Sequence, residues 1–266
     1  MSAPLSDAFL QTIVAEIDSD EVTAVILAGS HVRGTATRYS DVDFARFVRT
    51  QPQGKKKRYF YRGGRLISVV TWTLDFMQES ITKPEHAIWR VPALREARIL
   101  LDKEGLFAAF QQKLRDFRWE PLQEQANAWA SDMLMLFGEF AHKMLGALLT
   151  HDETTMAYAT HDLLWTLPEV VAVQRGVLIE GSNQYYVQVQ EAAGKDSAWT
   201  HFHRLALCLE PFPAHLSLAE VRGVAALRLY EETARLLHDV LLPDDRAVIE
   251  QTLQVIAEAS LPDTLI

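Results

Sequence analysis

A short apolar run, Val22 to Leu27, breaks at Gly29-Ser30, and eleven residues after Ser30 two aspartates, Asp41 and Asp43, flank Val42 at the start of a second apolar run. Each part of this stretch limits the backbone. Val-x-x-Val-Ile-Leu is short and rich in β-formers, the pattern of a buried strand. Gly29 lets the chain turn and approach a ligand closely. Ser30 offers a hydroxyl and a backbone N–H, both able to donate to a phosphate oxygen. Alternation along a strand puts Asp41 and Asp43 on one face. Two carboxylates so placed repel each other unless a cation lies between them, and oxygen-only ligands suit Mg²⁺ bridging to a triphosphate.

The remainder is an ordinary globular composition, 48% apolar and 23% charged over 266 residues, which allows one large domain or two smaller ones. A net charge of −9 opposes non-specific binding to nucleic acid and suits a cationic substrate. Cys208, the only cysteine, rules out an intrachain disulfide. A reducing cytoplasm is then the simplest home. Cys208 lies in Leu205-Ala-Leu-Cys-Leu and reads as packed core. Met1-Ser-Ala-Pro lacks the pattern of a signal peptide, and no uninterrupted apolar run approaches membrane-spanning length.

In chain order, Leu5 to Ile17 predicts a helix capped by Ser6. The first strand, Val22 to Leu27, is followed by a loop over Gly29 to Arg38 and a second strand from Asp41 to Arg49, apolar on both faces. Thr50-Gln-Pro-Gln-Gly is a loop. Two β-rich runs around Gly63-Gly64 predict a hairpin. Six cations between Lys55 and Arg65 have two readings, a charge-protected edge strand or a patch that steers a triphosphate toward Asp41 and Asp43. A short helix over Asp75 to Thr82 is capped by Thr73, Pro84 and Pro92 interrupt regular structure, Ile99 to Asp102 reads as a strand, and Leu106 to Phe117 as a helix. After Pro121 everything becomes helical. Leu122 to Leu149 carries Trp129, Met133, Leu136, Phe140, Met144 and Leu148 at helical spacing, with Glu139 and Lys143 as an i,i+4 pair. Asp152 caps a helix that Pro168 interrupts, and a second segment runs to Ile179. Tyr185 to Val189 reads as strand or helix. Ser197 to Glu210 is helical, ended by Pro211 and Pro213. Ser217 and Glu220 form a capping box opening a helix to Leu242, and Asp244 begins the last helix. His142, His161 and Asp162 form no metal signature, and most tryptophans, Trp165 among them, read as core. The change of character places a boundary near Glu120.

The Gly29-Ser30, Arg33-Gly34 and Ser40-Asp41-x-Asp43 pattern between two strands resembles the nucleotidyltransferase superfamily that includes DNA polymerase β. In look it is nearest to the antibiotic-modifying branch, the aminoglycoside and lincosamide nucleotidyltransferases. The resemblance implies an α+β chain: a small mixed-sheet catalytic domain over residues 1–120, then a helical domain over 121–266 that contributes to the acceptor site. It implies Mg²⁺ held by Asp41 and Asp43, and a nucleoside triphosphate, with ATP as the expected co-substrate, gripped by Gly29, Ser30, Arg33 and Ser40. Arg33 has a second reading as a surface residue, and Ser40 as a turn residue. The implied reaction moves a nucleoside monophosphate to a hydroxyl of a small, cationic acceptor, an antibiotic-resistance activity that releases pyrophosphate. Nucleic acid and membrane are not expected partners.

The superfamily pattern carries a third carboxylate on a later strand. Here that strand, Leu66 to Trp72, holds no acid, and the expected place falls on Ile67 or Ser68. A serine has neither the charge nor the pKa to replace it. Asp75, Asp102 and Glu139 remain as sources. Two other readings stay open: transfer to a protein or a tRNA, as in toxin–antitoxin systems, and a nucleotide-binding module without catalysis.

Overall fold

The computed structural model describes residues 5–51, 54, 56–212, 217–259 and 261. Met1 to Pro4, Pro52, Gln53, Lys55 and Pro213, on which some of the expectations above fall, lie outside these. The fold is α+β, and the chain divides into two compact units: Met1–Glu120 with Leu178–Ser182, and Pro121–Val177 with Asn183–Ile266.

The first unit is built on a five-stranded mixed sheet of order β3-β4-β2-β1-β5. Its strands are β1 (Val22–Ala28), β2 (Val42–Val48), β3 (Lys57–Arg62), β4 (Arg65–Trp72) and β5 (Arg98–Asp102). β1 runs antiparallel to β2 and β5, β2 parallel to β4, and β3 antiparallel to β4. Gly63 and Gly64, both at positive φ (57° and 72°), close the β3–β4 hairpin in two residues, as a tight hairpin turn requires. The first helix, α1 (Asp7–Ile17), starts where the Ser6 hydroxyl accepts from Phe9 N–H. It lays Leu10, Ile13, Val14 and Ile17 on Val25, Leu27, Val42, Phe44, Ile67 and Val69. The opposite face carries Phe47, whose ring lies 4.9 Å from that of Phe107. Between β1 and β2 lies a one-turn helix, α2 (Ser30–Arg33).

After β4 come α3 (Leu74–Ser80), with Thr73 accepting from Phe76 N–H, then α4 (Pro84–Arg95) and, after β5, α5 (Leu106–Arg115). The two prolines do not interrupt the chain as expected. Pro84 occupies the first turn of α4, where the missing N–H costs nothing, and Pro92 lies inside the helix. Without its N–H, Pro92 cannot bond the carbonyl four residues back, Ile88. That carbonyl instead accepts from Ile179 N–H at 2.7 Å. The segment Leu178–Ser182 thus joins the first unit at an acceptor that a proline leaves open.

The second unit contains α6 (Gln123–Thr150), α7 (Glu153–Arg175), α8 (Tyr185–Ala193), α9 (Ala198–Ala206), α10 (Leu218–Leu237) and α11 (Pro243–Glu258). Tyr185 to Val189 is therefore helix. Asp152 caps α7, Ser197 caps α9, and Ser217 with Glu220 forms the complete capping box of α10. α7 runs straight through Pro168, because burial of Leu163, Leu164, Leu167, Val170, Val171 and Val173 on both sides of it outweighs a helix-interior proline costing about 3 kcal/mol.

The buried face of α6 also differs from the expected one. Ala126, Ala130, Leu134, Gly138, Ala141, Met144 and Ala147 are buried, while Leu136 is exposed. Small residues let neighbouring helices come close: a Cβ on Gly138 would lie 3.3 Å from the Tyr230 hydroxyl, which donates to the Leu134 carbonyl. The segment Glu120–Thr150 is long and apolar enough by composition to cross a membrane, and here this small-residue face packs within the second unit. Cys208 is exposed rather than core. It sits beyond the end of α9 at φ 60°, and its N–H bonds the Leu205 carbonyl, so the turn carries its side chain outward. Trp165 is likewise exposed, whereas Trp199 is buried and donates to Thr233.

Candidate active site

Strand pairing assembles the site in the first unit. Asp43 stands opposite Ala28 on one side and opposite Ser68 on the other, and Ser68 stands opposite Tyr59. Paired residues share a face, so Asp43, Ser68 and Tyr59 lie in one row across three strands. Asp41 lies just before β2, two residues from Asp43 and within reach of its charge. Of the two registers open to sequence, the structure chooses Ser68, whose hydroxyl donates to the Asp43 carboxylate.

Gly29 is required by this geometry. Its φ is 74° and ψ −157°, a region essentially confined to glycine. A Cβ there would come within 2.6 Å of Asp43 Oδ2. The glycine thus makes room for the carboxylate and turns the chain into α2. Val32 N–H bonds back to the Gly29 carbonyl and Thr35 N–H to that of Ser30. The first N–H groups of this turn, on Ser30 and His31, have no partner within the helix itself.

The other expected nucleotide ligands take distinct places. Arg33 reaches Asp43 electrostatically, and its Nη2 lies 2.7 Å from where a Cβ on Gly181 would sit. It is a packed cation of the site, not a free surface residue. The Ser40 hydroxyl accepts from Thr37 N–H at 2.9 Å and so closes the loop before β2. His31 bonds the Ser40 backbone, and burial, then the charge of Arg65, lower its pKa. Its Nε2 is buried without a partner.

Burial, and then the neighbouring charge of Asp41, push Asp43 up to about 6; Lys57, Ser68 and Arg33 pull the other way. The two carboxylates thus face each other with incomplete compensation. Their oxygen-only donor set, the space that Gly29 leaves beside Asp43, and the neutral Ser68 fit a hard divalent cation that takes its remaining ligands from phosphate and water. Among the described residues no group of three or more His, Cys, Asp or Glu forms a metal cluster.

Two proposed sources of a third carboxylate are excluded by register. Trp72 pairs with Phe47, four residues or about 13 Å along the strand from Asp43, and Asp75 lies beyond it in the first turn of α3. Asp102 pairs with Ala24, a similar distance from Ala28, and one of its oxygens accepts from Ala108 N–H at the start of α5. Glu139, in the second unit, pairs with Lys143 at 2.6 Å.

In the sequence the cations of the hairpin form one group. In the structure β3 is indeed an edge strand, and it sorts them. Lys57 faces the aspartates, whose charges act on it, while Arg58 lies over Phe60 and Arg62 pairs with Glu16. The signal existed: a two-residue turn at Gly63-Gly64 fixes Tyr59 opposite Ser68, and alternation then places Lys57 on the same face.

Residues 10–92 match the family model of the nucleotidyltransferase domain. Among solved structures, the crystal structure of a nucleotidyltransferase-like protein from Exiguobacterium sibiricum 255-15 has 14% sequence identity and a TM-score of 0.53, covering 96% of this chain and 80% of that one. At that identity the likeness is one of fold. No curated protein sequence matches the chain.

Proposed function

We propose, from a nucleotidyltransferase domain over residues 10–92, that this chain transfers a nucleoside monophosphate from a nucleoside triphosphate to the hydroxyl of a small acceptor and releases pyrophosphate. The observation that carries the reading is the paired Asp41 and Asp43, set beside a glycine that no other residue could replace without moving Asp43. Such a transfer needs neutralised charge and in-line positioning more than covalent chemistry from the protein.

Asp41 and Asp43 would hold Mg²⁺, which supplies electrophilic assistance at the transferring phosphate and charge neutralisation at the leaving group. The turn at Ser30 presents a hydroxyl and backbone N–H groups to the β- and γ-phosphates, and Arg33 adds a fixed guanidinium beside Asp43. The acceptor oxygen bonds the α-phosphorus, the bridging bond to the β-phosphate breaks, and the hydroxyl proton passes to water, because Ser68 is no base. Ser68 instead holds the Asp43 carboxylate in place through its hydrogen bond. The net charge of −9 suits a cationic acceptor of the aminoglycoside kind, with ATP as the nucleotide first to be tried.

A second reading, nucleotide binding without transfer, is favoured by Ser68 standing opposite Asp43. The test is pyrophosphate release with Mg²⁺ and each of the four nucleoside triphosphates, with and without a panel of hydroxylated amino sugars, beside an Asp41→Asn, Asp43→Asn control. Release that needs an acceptor and vanishes in the control supports transfer. Triphosphate binding without release supports the second reading. Loss of both overturns the nucleotide site.

A further inference from the structure

Two carboxylates and one divalent ion cancel each other's charge, and the triphosphate still brings its own. With Ser68 facing Asp43, strand β4 offers no third carboxylate to hold a second ion, and among the described residues no group of three or more His, Cys, Asp or Glu forms a metal site. The compensating charge must then come from the protein's own cations. On β3, residues alternate between the two faces of the sheet. Phe60 packs against the core beneath α1, so Arg58 and Arg62, which share its parity, belong to that side. Arg58 lies with its guanidinium carbon 4.7 Å from the centre of the Phe60 ring, and Arg62 is paired with Glu16.

Lys57 and Tyr59 belong to the other side, that of Asp43 and Ser68. The Lys57 ammonium bonds the Tyr59 hydroxyl and feels both Asp41 and Asp43. It also lies 4.8 Å from the centre of the Tyr59 ring. Two other described cations near the pair are differently placed: Arg33 is packed against Gly181, and Arg65 acts on His31. Lys57 is a point charge on a flexible four-carbon stem, carried by an exposed edge strand and tethered to a tyrosine in the row of Asp43 and Ser68. That flexible stem lets its ammonium turn toward a phosphate chain held at the aspartates.

We propose that Lys57 binds the triphosphate of the nucleotide and supplies the positive charge that a second divalent ion would otherwise supply, so that the site takes one divalent ion per chain. The proposal rests on the nucleotidyl-transfer reading above. It gives Ser68 and Lys57 a joint meaning: a neutral residue where an acid would bind metal, and a cation two residues along the facing strand.

The test counts Mn²⁺ by electron paramagnetic resonance and measures binding by calorimetry, using a nucleoside triphosphate with a methylene between its α- and β-phosphates. One Mn²⁺ per chain is expected in the ternary complex. Lys57→Ala, on the solvated edge strand, is expected to weaken the analogue about tenfold, the scale of one charge-assisted contact, with Mn²⁺ binding in the absence of nucleotide retained. Arg58→Ala removes the same charge from the other face of β3 and is expected to leave affinity unchanged. Ser68→Asp is expected to bring the count to two and to restore analogue binding in the Lys57→Ala background. Two Mn²⁺ in the wild type, no loss in Lys57→Ala, or equal losses in Lys57→Ala and Arg58→Ala would each overturn the proposal while nucleotide binding stands. A wild type that binds no triphosphate at all overturns the functional reading, and this inference falls with it.

Discussion

Removing the charge of Asp43 should stabilise the metal-free protein. Burial and Asp41 raise this carboxyl from its ordinary 3.8 to about 6, so above that pH the folded state carries a carboxylate it holds at a cost. Each pKa unit corresponds to about 1.36 kcal/mol, which sets an upper bound of about 3 kcal/mol. The group is half-buried and partly screened, so about 1–2 kcal/mol is the expected size. The sign follows from proton counting. Below about pH 4 the carboxyl is protonated in both folded and unfolded chains, and no penalty exists. Between about 4 and 6 the folded state holds more protons, so stability falls as pH rises, and above about 6 the penalty is constant. His203 adds the opposite slope: burial presses it down to about 4, so it costs stability as pH falls from its ordinary range toward 4. That contribution is common to wild type and variant, and cancels in their difference. The assay is urea denaturation of wild type and Asp43→Asn from pH 4 to 8 with divalent ions chelated. Asp43→Asn should equal wild type near pH 4 and exceed it by about 1–2 kcal/mol at pH 7, and Mg²⁺ should stabilise wild type alone. A variant no more stable than wild type at pH 7 would refute the account of an uncompensated pair.

Gly29→Ala should cost about 1–3 kcal/mol in urea denaturation for its backbone alone. By pushing on Asp43 Oδ2 it should also abolish Mn²⁺ binding; retained binding would show that the close approach is not needed. Pro92→Ala restores an N–H that competes for the Ile88 carbonyl, so hydrogen exchange at the Ile179 amide should quicken, and unchanged protection would count against the docking of Leu178–Ser182 described here. Tyr230→Phe leaves the Leu134 carbonyl without the hydroxyl that donates to it at 3.1 Å, and should lower stability by about 1–2 kcal/mol. The native protein should yield one titratable thiol to a disulfide reagent, because Cys208 is exposed.

The features of this protein that could be read from the chain are those in which a few neighbouring residues decide the backbone. Gly29-Ser30, the Asp41-x-Asp43 alternation, the Gly63-Gly64 hairpin and the caps at Ser6, Thr73, Asp152 and Ser217 depend on φ, on period two and on a hydroxyl or carboxylate three residues from an N–H. Those interactions form within one turn, whatever the rest of the chain does. The features that could not be read depend on contacts between residues far apart in sequence. Pro92 and Pro168 signal breaks locally, yet sit inside helices because an acceptor is reclaimed by Ile179 in one case and buried apolar side chains flank the other. α6 has apolar residues around much of its circumference, so only its neighbours select the small-residue face. In the site itself, composition showed that an acid was missing from residues 66–72, but only the parallel pairing of β2 with β4 put Ser68, and not Ile67, against Asp43. Strand register is set by how two whole hydrophobic faces meet, and no local pattern carries that information. The two aspartates were therefore legible in the sequence, whereas the serine and the lysine that share their face came from the packing of the sheet.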